Sequence, residues 1–582
     1  MEDAFLPTTP EEVRRRGWDR LDVILVSGDS YIDSPLIGVA VIGRVLEQAG
    51  FKVGIIAQPQ IDSPRDITRL GEPRLFWGVT GGSVDSMVAN YSASRRKRRQ
   101  DDYTPGGLNN RRPDRAVIAY CNLIRRYFKD TVPLLLGGIE ASLRRVPHYD
   151  YWSDSVRRSI LFDAKADYLL YGMAEGSVLA FAQTLKEGGD PAGLRGLCCI
   201  RKNLPEFAQA YRELPPYEEV AADKQAFTRM FHLFYRNNDP LSAAGLYQKH
   251  GERYLIHNPP AAYASQAELD AVYALPYRRA QHPYYESQGA VKALETIRFS
   301  INSHHGCYGE CNFCAIAAHE GRTVRWRSPQ SILAEARLLT ELPGFKGYIL
   351  DVGGPTANMY GFECARKLKK GACPDKRCIY PQVCPSLKPD HDEQVKLLRS
   401  LRRIPGIKKV FIGSGLRYDL ILADHKNGRA YLRELTGHHV SGQLKVAPEH
   451  SQDNVLAWMG KPQHADLLEF KRQFDELSQE VGLRQYLTYY LIAAHPGCTE
   501  ADMRALKAFA SRELHISPEQ VQIFTPLPST YSALMYYTET DPFTGEKVFV
   551  EKDMGKKEKQ KRIVVKKNNN EKNDSKTTSP SE

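Results

Sequence analysis

No stretch of the 582 residues holds about 18 consecutive apolar side chains, so no membrane-spanning helix is expected. The leading MEDAFLPTTPEEVRRR carries acids and then arginines with no apolar core, and so does not read as a secretory signal. No Walker-type loop and no Ser/His/Asp arrangement appears, which sets aside P-loop and serine-type chemistry. Low-complexity and collagen-like repeats are also missing from the bulk of the chain. A cytoplasmic, reducing setting is therefore expected. There, the eleven cysteines need an explanation other than disulfides.

What is present is ordinary globular composition, 42% hydrophobic and 26% charged. The length suits about three or four domains. Lysine and arginine (80) exceed aspartate and glutamate (69), giving a net charge of +11. Part of that excess lies in residues 552–582, where ten basic residues meet five acidic ones without apolar periodicity. Residues 541–582 read as a basic, disordered tail, either solvated or touching RNA. A second basic run is Arg95-Arg96-Lys97-Arg98-Arg99, a phosphate contact or a surface segment.

Residues 1–200 alternate strands and helices. Strands are expected at 23–26, 52–57, 75–79, 133–136 and 168–171, and helices at 36–48, 113–129 and 175–185. This rhythm predicts a parallel sheet with crossover helices, and glycines after the strands put ligand loops at their C-terminal ends. Over 201–295 the rhythm fades, and the segment reads as a helical linker. From 296 to 540 it returns. Six strands are expected at 297–303, 347–352, 408–412, 442–446, 485–493 and 521–524, with helices between them. Six βα units fit a partial barrel better than a closed eightfold one, with its site at the strand C-termini.

Directly after the first of these strands comes Cys307-Tyr-Gly-Glu-Cys311-Asn-Phe-Cys314. Three thiolates this close can hold three irons of one 4Fe–4S cluster and leave the fourth open, whereas such clusters normally use four cysteines. The alternatives are zinc, completed by His304, His305 or His319, or buried thiols without metal.

With that motif, the chain resembles the radical S-adenosylmethionine (SAM) superfamily, and Phe313 supplies the usual aromatic before the last cysteine. Asp351-Val352-Gly353-Gly354-Pro355 ends the second strand and resembles the superfamily's Gly-Gly-Glu contact to the methionyl amine of SAM, with proline in place of glutamate. Gly413 and Ser414, and Glu449 in Ala447-Pro448-Glu449, stand at further loop ends that the resemblance assigns to SAM. Ala494-His495-Pro496-Gly497 resembles the turn after the fifth strand. More narrowly, residues 15–540 resemble the YgiQ-like radical SAM family. The phrases are GDSYIDSPLIGVAVIGRVLEQAGFKVGIIAQP, YTPGG, LGGIEASLRRVPHYDYWSDSVRRSILFDAKADYLLYGMAEG and GECNFCAIAAHEGR. The resemblance implies a TIM-like (β/α)6 partial barrel behind a Rossmann-like α/β domain of the cobalamin-binding type.

Pro35, Gly38 and Gly137-Gly138 fit such a domain. The loop Asp29-Ser-Tyr31-Ile-Asp33, however, lacks the cobalt-ligating histidine of some cobalamin-binding domains. The sequence thus weighs against cobalamin, leaving substrate or no ligand there. A second cluster, Cys364, Cys373, Cys378 and Cys384, reads as an auxiliary iron–sulfur site, a zinc site or free thiols, with Cys364 on a helix and dispensable. Cys121, Cys198 and Cys199 read as core residues, and Cys498 is left open. The resemblance implies that SAM bound at the open iron is reductively cleaved to a 5′-deoxyadenosyl radical, which abstracts hydrogen from a substrate the sequence does not identify. It also implies a low-potential electron donor such as flavodoxin or ferredoxin. The competing functions are a metal- and nucleic-acid-binding protein without turnover, and a cobalamin-dependent methylase.

Overall fold

The structure is a computed structural model that describes residues 5–565. Its first half is built on a nine-stranded sheet. Five parallel strands come first: β1 (Val23–Ser27), β2 (Val53–Ala57), β3 (Phe76–Thr80), β4 (Leu134–Gly137) and β5 (Tyr168–Leu170). Every residue of VILVS and VGIIA is buried, as a strand covered on both faces requires. These strands lie in the order 2-1-3-4-5, not the Rossmann order. In a doubly wound sheet, the point where the order reverses opens a crevice at the strand C-termini, here between β1 and β3.

The expected linker over 201–295 is a correction. The sheet continues through β6 (Leu197–Arg201), β7 (Arg212–Leu214), β8 (Leu246–His250) and β9 (Arg253–His257), in the order 5-6-9-8-7. β6 and β9 are antiparallel to both neighbours, β8 is antiparallel to β9 but parallel to β7, and β8 turns into β9 at Gly251, φ 56°. Only β7 to β8 is a parallel crossover, through the helices Tyr217–Ala222 and Lys224–Arg236; the antiparallel pairs around it break the regular βα rhythm while the sheet goes on. The helix Lys224–Arg236 packs Phe227, Met230, Phe231 and Phe234 into the same core.

The second half holds short parallel strands: β10 (Ser300–Asn302), β11 (Tyr348–Ile349), β12 (Asp351–Gly353), β13 (Lys409–Val410), β14 (Gln443–Glu449), β15 (Tyr486–Ala493) and β16 (Gln522–Ile523). Consecutive units pair: β10 with β12, β11 with β13, β14 with β15, and β15 with β16. The Leu416↔Val446 bridge and the bond from Ile412 N to His439 O join the two groups. The crossover helices Pro329–Glu341, Asp392–Arg402, Gly428–His438, His464–Glu480 and Glu500–Arg512 fall where the apolar periodicity put them. The first strand starts later than expected, because Leu294–Ile297 is a helical turn.

The C-terminal expectation also needs correcting. Met554–Val564 is a helix that buries Lys557, Gln560 and Val564 against the second half. Gln560 Oε1 accepts from Ala494 N at 3.0 Å, and Lys557 Nζ donates to Tyr536 Oη at 2.8 Å. Its inward stripe is mostly polar, so no apolar periodicity marked it. The rest of the expected tail, 566–582, lies outside the described residues. No helix among the described residues is long and apolar enough to cross a membrane.

Candidate active site

The cysteine triad occupies the loop after β10, which is held from both halves of the chain. Gly306, at φ 83°, donates its N–H to Glu320 Oε2 at 3.0 Å, and an added Cβ would lie 2.4 Å from Thr323 O. Glu310 accepts from Arg322 at 3.0 Å. Asn312 donates to Trp458 O at 2.8 Å and accepts from Arg377 at 2.6 Å. Tyr308 is fully buried and donates to Phe362 O. Phe313 packs beside His495 and the cluster containing Val564.

Inside this loop two of the three sulfurs flank a glycine. A Cβ on Gly309 would sit 3.2 Å from Cys307 Sγ, 3.5 Å from Cys311 Sγ and 3.3 Å from Arg417 Nη1. The Gly309 N–H donates to Cys307 Sγ at 3.3 Å, and Arg417 Nη1 donates to Cys311 Sγ at 3.6 Å. Burial pushes the Cys307 and Cys314 thiols up, and the neighbouring triad sulfurs add to it. Burial works against the charge on Arg417, but bidentate Asp419, with Cys311 and Cys307, more than restores it. Two of the three triad sulfurs and a fixed cation thus form a cradle around Gly309. Arg417 lies between predicted motifs and was not identified from sequence. One arginine in a chain with so many carries no signal of its own.

The other predicted loop ends meet around this cradle. Gly353 O accepts from Ser303 N at 2.6 Å. A Cβ on Gly354 would lie 2.6 Å from His304 O, so only glycine lets these loops approach so closely. Asp351 accepts from Gly413 N at 2.8 Å and from Ser414 N at 3.2 Å. Those amides are therefore engaged in holding their own loop. Glu449 sits at φ 68°, past a bulge in β14. Its carboxyl is pushed up by burial and pulled back by Lys461 and Arg417. His304 Nε2 lies 2.9 Å from Thr356 O, and His305 lies between Tyr273 Oη and Glu320. Cys498 is buried, 3.7 Å from His450 Nε2, with its thiol pushed up to about 12 by burial, so it is a packed thiol.

A cavity of about 480 Å³ joins the two halves. From the doubly wound sheet it takes Pro35, Gly38, Gly82, Ser83 and Gly137-Gly138, and from the second half Tyr273, His305, His319, Glu320 and Pro355. Most of its wall is aliphatic. Two atoms on it, Ser83 Oγ and His319 Nδ1, are buried without a hydrogen-bond partner. Burial lowers His319 to about 4, so its imidazole is neutral. At the crevice, Asp29 is engaged by Arg112 at 2.8 Å and by Ser83 N at 2.6 Å. The size is typical of ligand sites.

The second cysteine loop lies away from that cavity. Cys378, pushed up to about 11 by burial, accepts from Lys367 Nζ at 3.5 Å, and Lys367 also pairs with Glu363 at 3.0 Å. Cys364 caps the short helix Ala365–Lys370 and packs with Tyr308 in one apolar cluster. Among the described residues no three His, Cys, Asp or Glu side chains gather as on a single ion. Exposure divides the cysteines: the triad and Cys373, Cys378 and Cys384 are partly exposed, and the other five are buried.

Residues 5–300 match the family model described as radical SAM N-terminal. A UPF0313 protein of Fusobacterium nucleatum is 57% identical over 96% of this chain and 98% of its own length. The chain belongs to the UPF0313 family. Another UPF0313 protein, from Thermotoga petrophila, is 50% identical over 96% of this chain and 98% of its own, and one from Methanocella arvoryzae is 49% identical over 94% and 90%. Radical SAM membership follows from the N-terminal match, at a coarser level than the YgiQ-like name. Among solved structures, the chain is similar to the radical SAM methyltransferase TsrM of Kitasatospora setae with cobalamin and a 4Fe–4S cluster bound. Identity is 15%, the TM-score 0.49, and the match covers 88% of this chain and 77% of that one. It is also similar to OxsB with aqua-cobalamin bound, at 11% identity and TM-score 0.49, over 92% of this chain and 58% of that one. Both of those structures hold cobalamin.

Proposed function

We propose that this UPF0313 protein is a radical SAM enzyme whose chemistry takes place in the cavity between its two sheets. The observation that carries this reading is the shared wall. His305, Glu320 and Pro355 come from the loops around the triad, and they face the switch-point glycines of the other sheet. The Gly309 cradle fits a 4Fe–4S cluster on Cys307, Cys311 and Cys314, with Gly353, Gly354, Pro355, Gly413, Ser414 and Glu449 around the SAM site. When bound, that cluster supplies the electron that cleaves SAM to a 5′-deoxyadenosyl radical. Arg417 offsets charge at Cys311. The aliphatic wall keeps water from a reactive substrate. Burial opposes a charge on His305, but Glu320 outweighs it and keeps a proton on Nδ1, where Tyr273 fixes the other nitrogen. Anaerobic reconstitution tests the reading: a reduced-cluster EPR signal that changes when SAM is added supports it, and no cluster in the wild-type protein sinks it.

The cavity also favours a second reading, in which it holds a corrinoid as a methyl carrier. The unpartnered Ser83 Oγ and His319 Nδ1 fit a large ligand with polar edges, and no histidine of residues 29–33 would ligate cobalt. Hydroxocobalamin retained at one per chain through gel filtration would support this, and its loss would leave the cavity to the substrate. Cys373, Cys378 and Cys384 are partly exposed and do not gather as on a single ion among the described residues, so an iron–sulfur centre, zinc and free thiols stay the three readings of this loop, with buried Cys364 outside any centre. Metal analysis of the Cys378→Ala variant tests for such a centre and names the metal.

A further inference from the structure

The two basic runs singled out in the sequence lie more than 450 residues apart, and the fold places them side by side. The first is a built hairpin. Tyr91 bridges Lys97, Arg95 N donates to Ser92 O, and Arg98 N donates to Asn90 O at 2.7 Å. Arg95 turns it at φ 59°, and Asn109 holds its far side by donating to Arg98 O at 3.1 Å. Arg95 through Arg99 are all exposed. The second run is the helix Met554–Val564, with Lys556, Lys559 and Arg562 facing solvent. Tyr151 joins them. Its hydroxyl donates to Ala93 O at 2.7 Å, Arg95 lies 4.7 Å above its ring, and Lys557 lies 5.2 Å from it. Ser94 Oγ donates to Glu558 across the junction. Among the described residues, Arg96, Lys97, Arg99 and Lys556 form no ion pair. Beside the hairpin, half-buried Tyr91 and Trp152 lie 5.5 Å apart.

Fixed, unpaired cations next to part-exposed aromatic rings match what a flexible phosphate chain with unstacked bases needs. We propose that the Arg95–Arg99 hairpin, the outer face of the Met554–Val564 helix and the Tyr91–Trp152 pair form a binding surface for a single-stranded polynucleotide. This does not depend on the radical reading of the cavity.

The test is fluorescence anisotropy of the full-length protein with labelled 12-residue mixed-sequence RNA and DNA strands, across a salt series. Binding should weaken linearly with log salt, with a slope near −2 to −3.5 for about three to five phosphates neutralised. The triple variant R96E/K97E/R99E should lose at least about thirtyfold and show a shallower slope. Trp152→Leu should lose roughly five- to thirtyfold with the slope unchanged, a readout that charge alone would not give. An equal charge change elsewhere, R403E/K408E/K409E, and the tail variant K566A/K567A/K572A/K576A should stay within about threefold. Comparing the RNA and DNA arms identifies the polynucleotide. The proposal is overturned if the hairpin variant binds like wild type, if the control variant loses as much, if the tail variant alone abolishes binding, or if heparin binds and neither strand does. Retained thermal melting of each variant shows that the loss is not unfolding.

Discussion

Two cysteine-rich loops sit next to each other and have different surroundings. In 307–314 two of the sulfurs flank a glycine and one meets an arginine fixed by Asp419, and the residues just outside the loop, His305 and Ile316, line a cavity shared with the other sheet. In 364–384 one sulfur is matched by a buried lysine, and no residue of the loop lines that cavity. Tyr308 belongs to the first loop and packs against Cys364 and Phe362 of the second segment. Cysteine spacing alone therefore says where metal can bind. Only access to the cavity says where a reaction can happen.

The sharpest way to break this comparison is to remove one sulfur from each loop. Cys311→Ala should lose about four irons per chain and all measurable SAM cleavage. Cys378→Ala should lose at most a second metal and keep cleavage within about tenfold of wild type, and equal losses of cleavage would erase the distinction. A smaller effect is expected at the glycine between the β12 loop and His304. Gly354→Ala should raise the apparent KM for SAM by roughly tenfold, since its methyl group would force the loops apart. An unchanged KM would place SAM elsewhere.

The paired change Arg417→Gln with Asp419→Asn removes the cation without stranding a buried carboxylate. A hydrogen bond to a charged group is worth about 1.5–3 kcal/mol. For a one-electron couple the triad cluster's reduction potential should therefore fall by roughly 65–130 mV, while any second centre should not move. The smallest effect concerns the C-terminal helix, whose Val564 shares a core cluster with Phe313 of the triad loop. Burial lowers Lys557 to about 8, from the ordinary lysine value of 10.5. Between those values the unfolded chain binds more protons than the folded one, so stability should rise as pH climbs from 8 to 10.5. Lys557→Met should flatten that rise in thermal melts.

Much of this was legible in the sequence, for identifiable reasons. The triad, the glycine pair after β12 and the crossover helices each follow a short local rule, of ligand spacing, close approach or apolar period. The extension of the first sheet through 212–257 was not legible, because short strands in mixed parallel and antiparallel pairing replace the regular alternation of strand and crossover helix. The helix at 554–564 was hidden because lysine and glutamine, not leucine, fill its inward face. Arg417 matters through Cys311, far away in the chain, and Ser83 and His319 through the cavity that they line together, and no local pattern records either.

The most direct test of the central claim is 5′-deoxyadenosine formation by anaerobically reconstituted protein given SAM and dithionite, beside Cys311→Ala. The account predicts product from the wild type and none from the variant. Product from both, or none from a wild type with a reducible cluster and bound SAM even when substrate-containing extract is supplied, would contradict it.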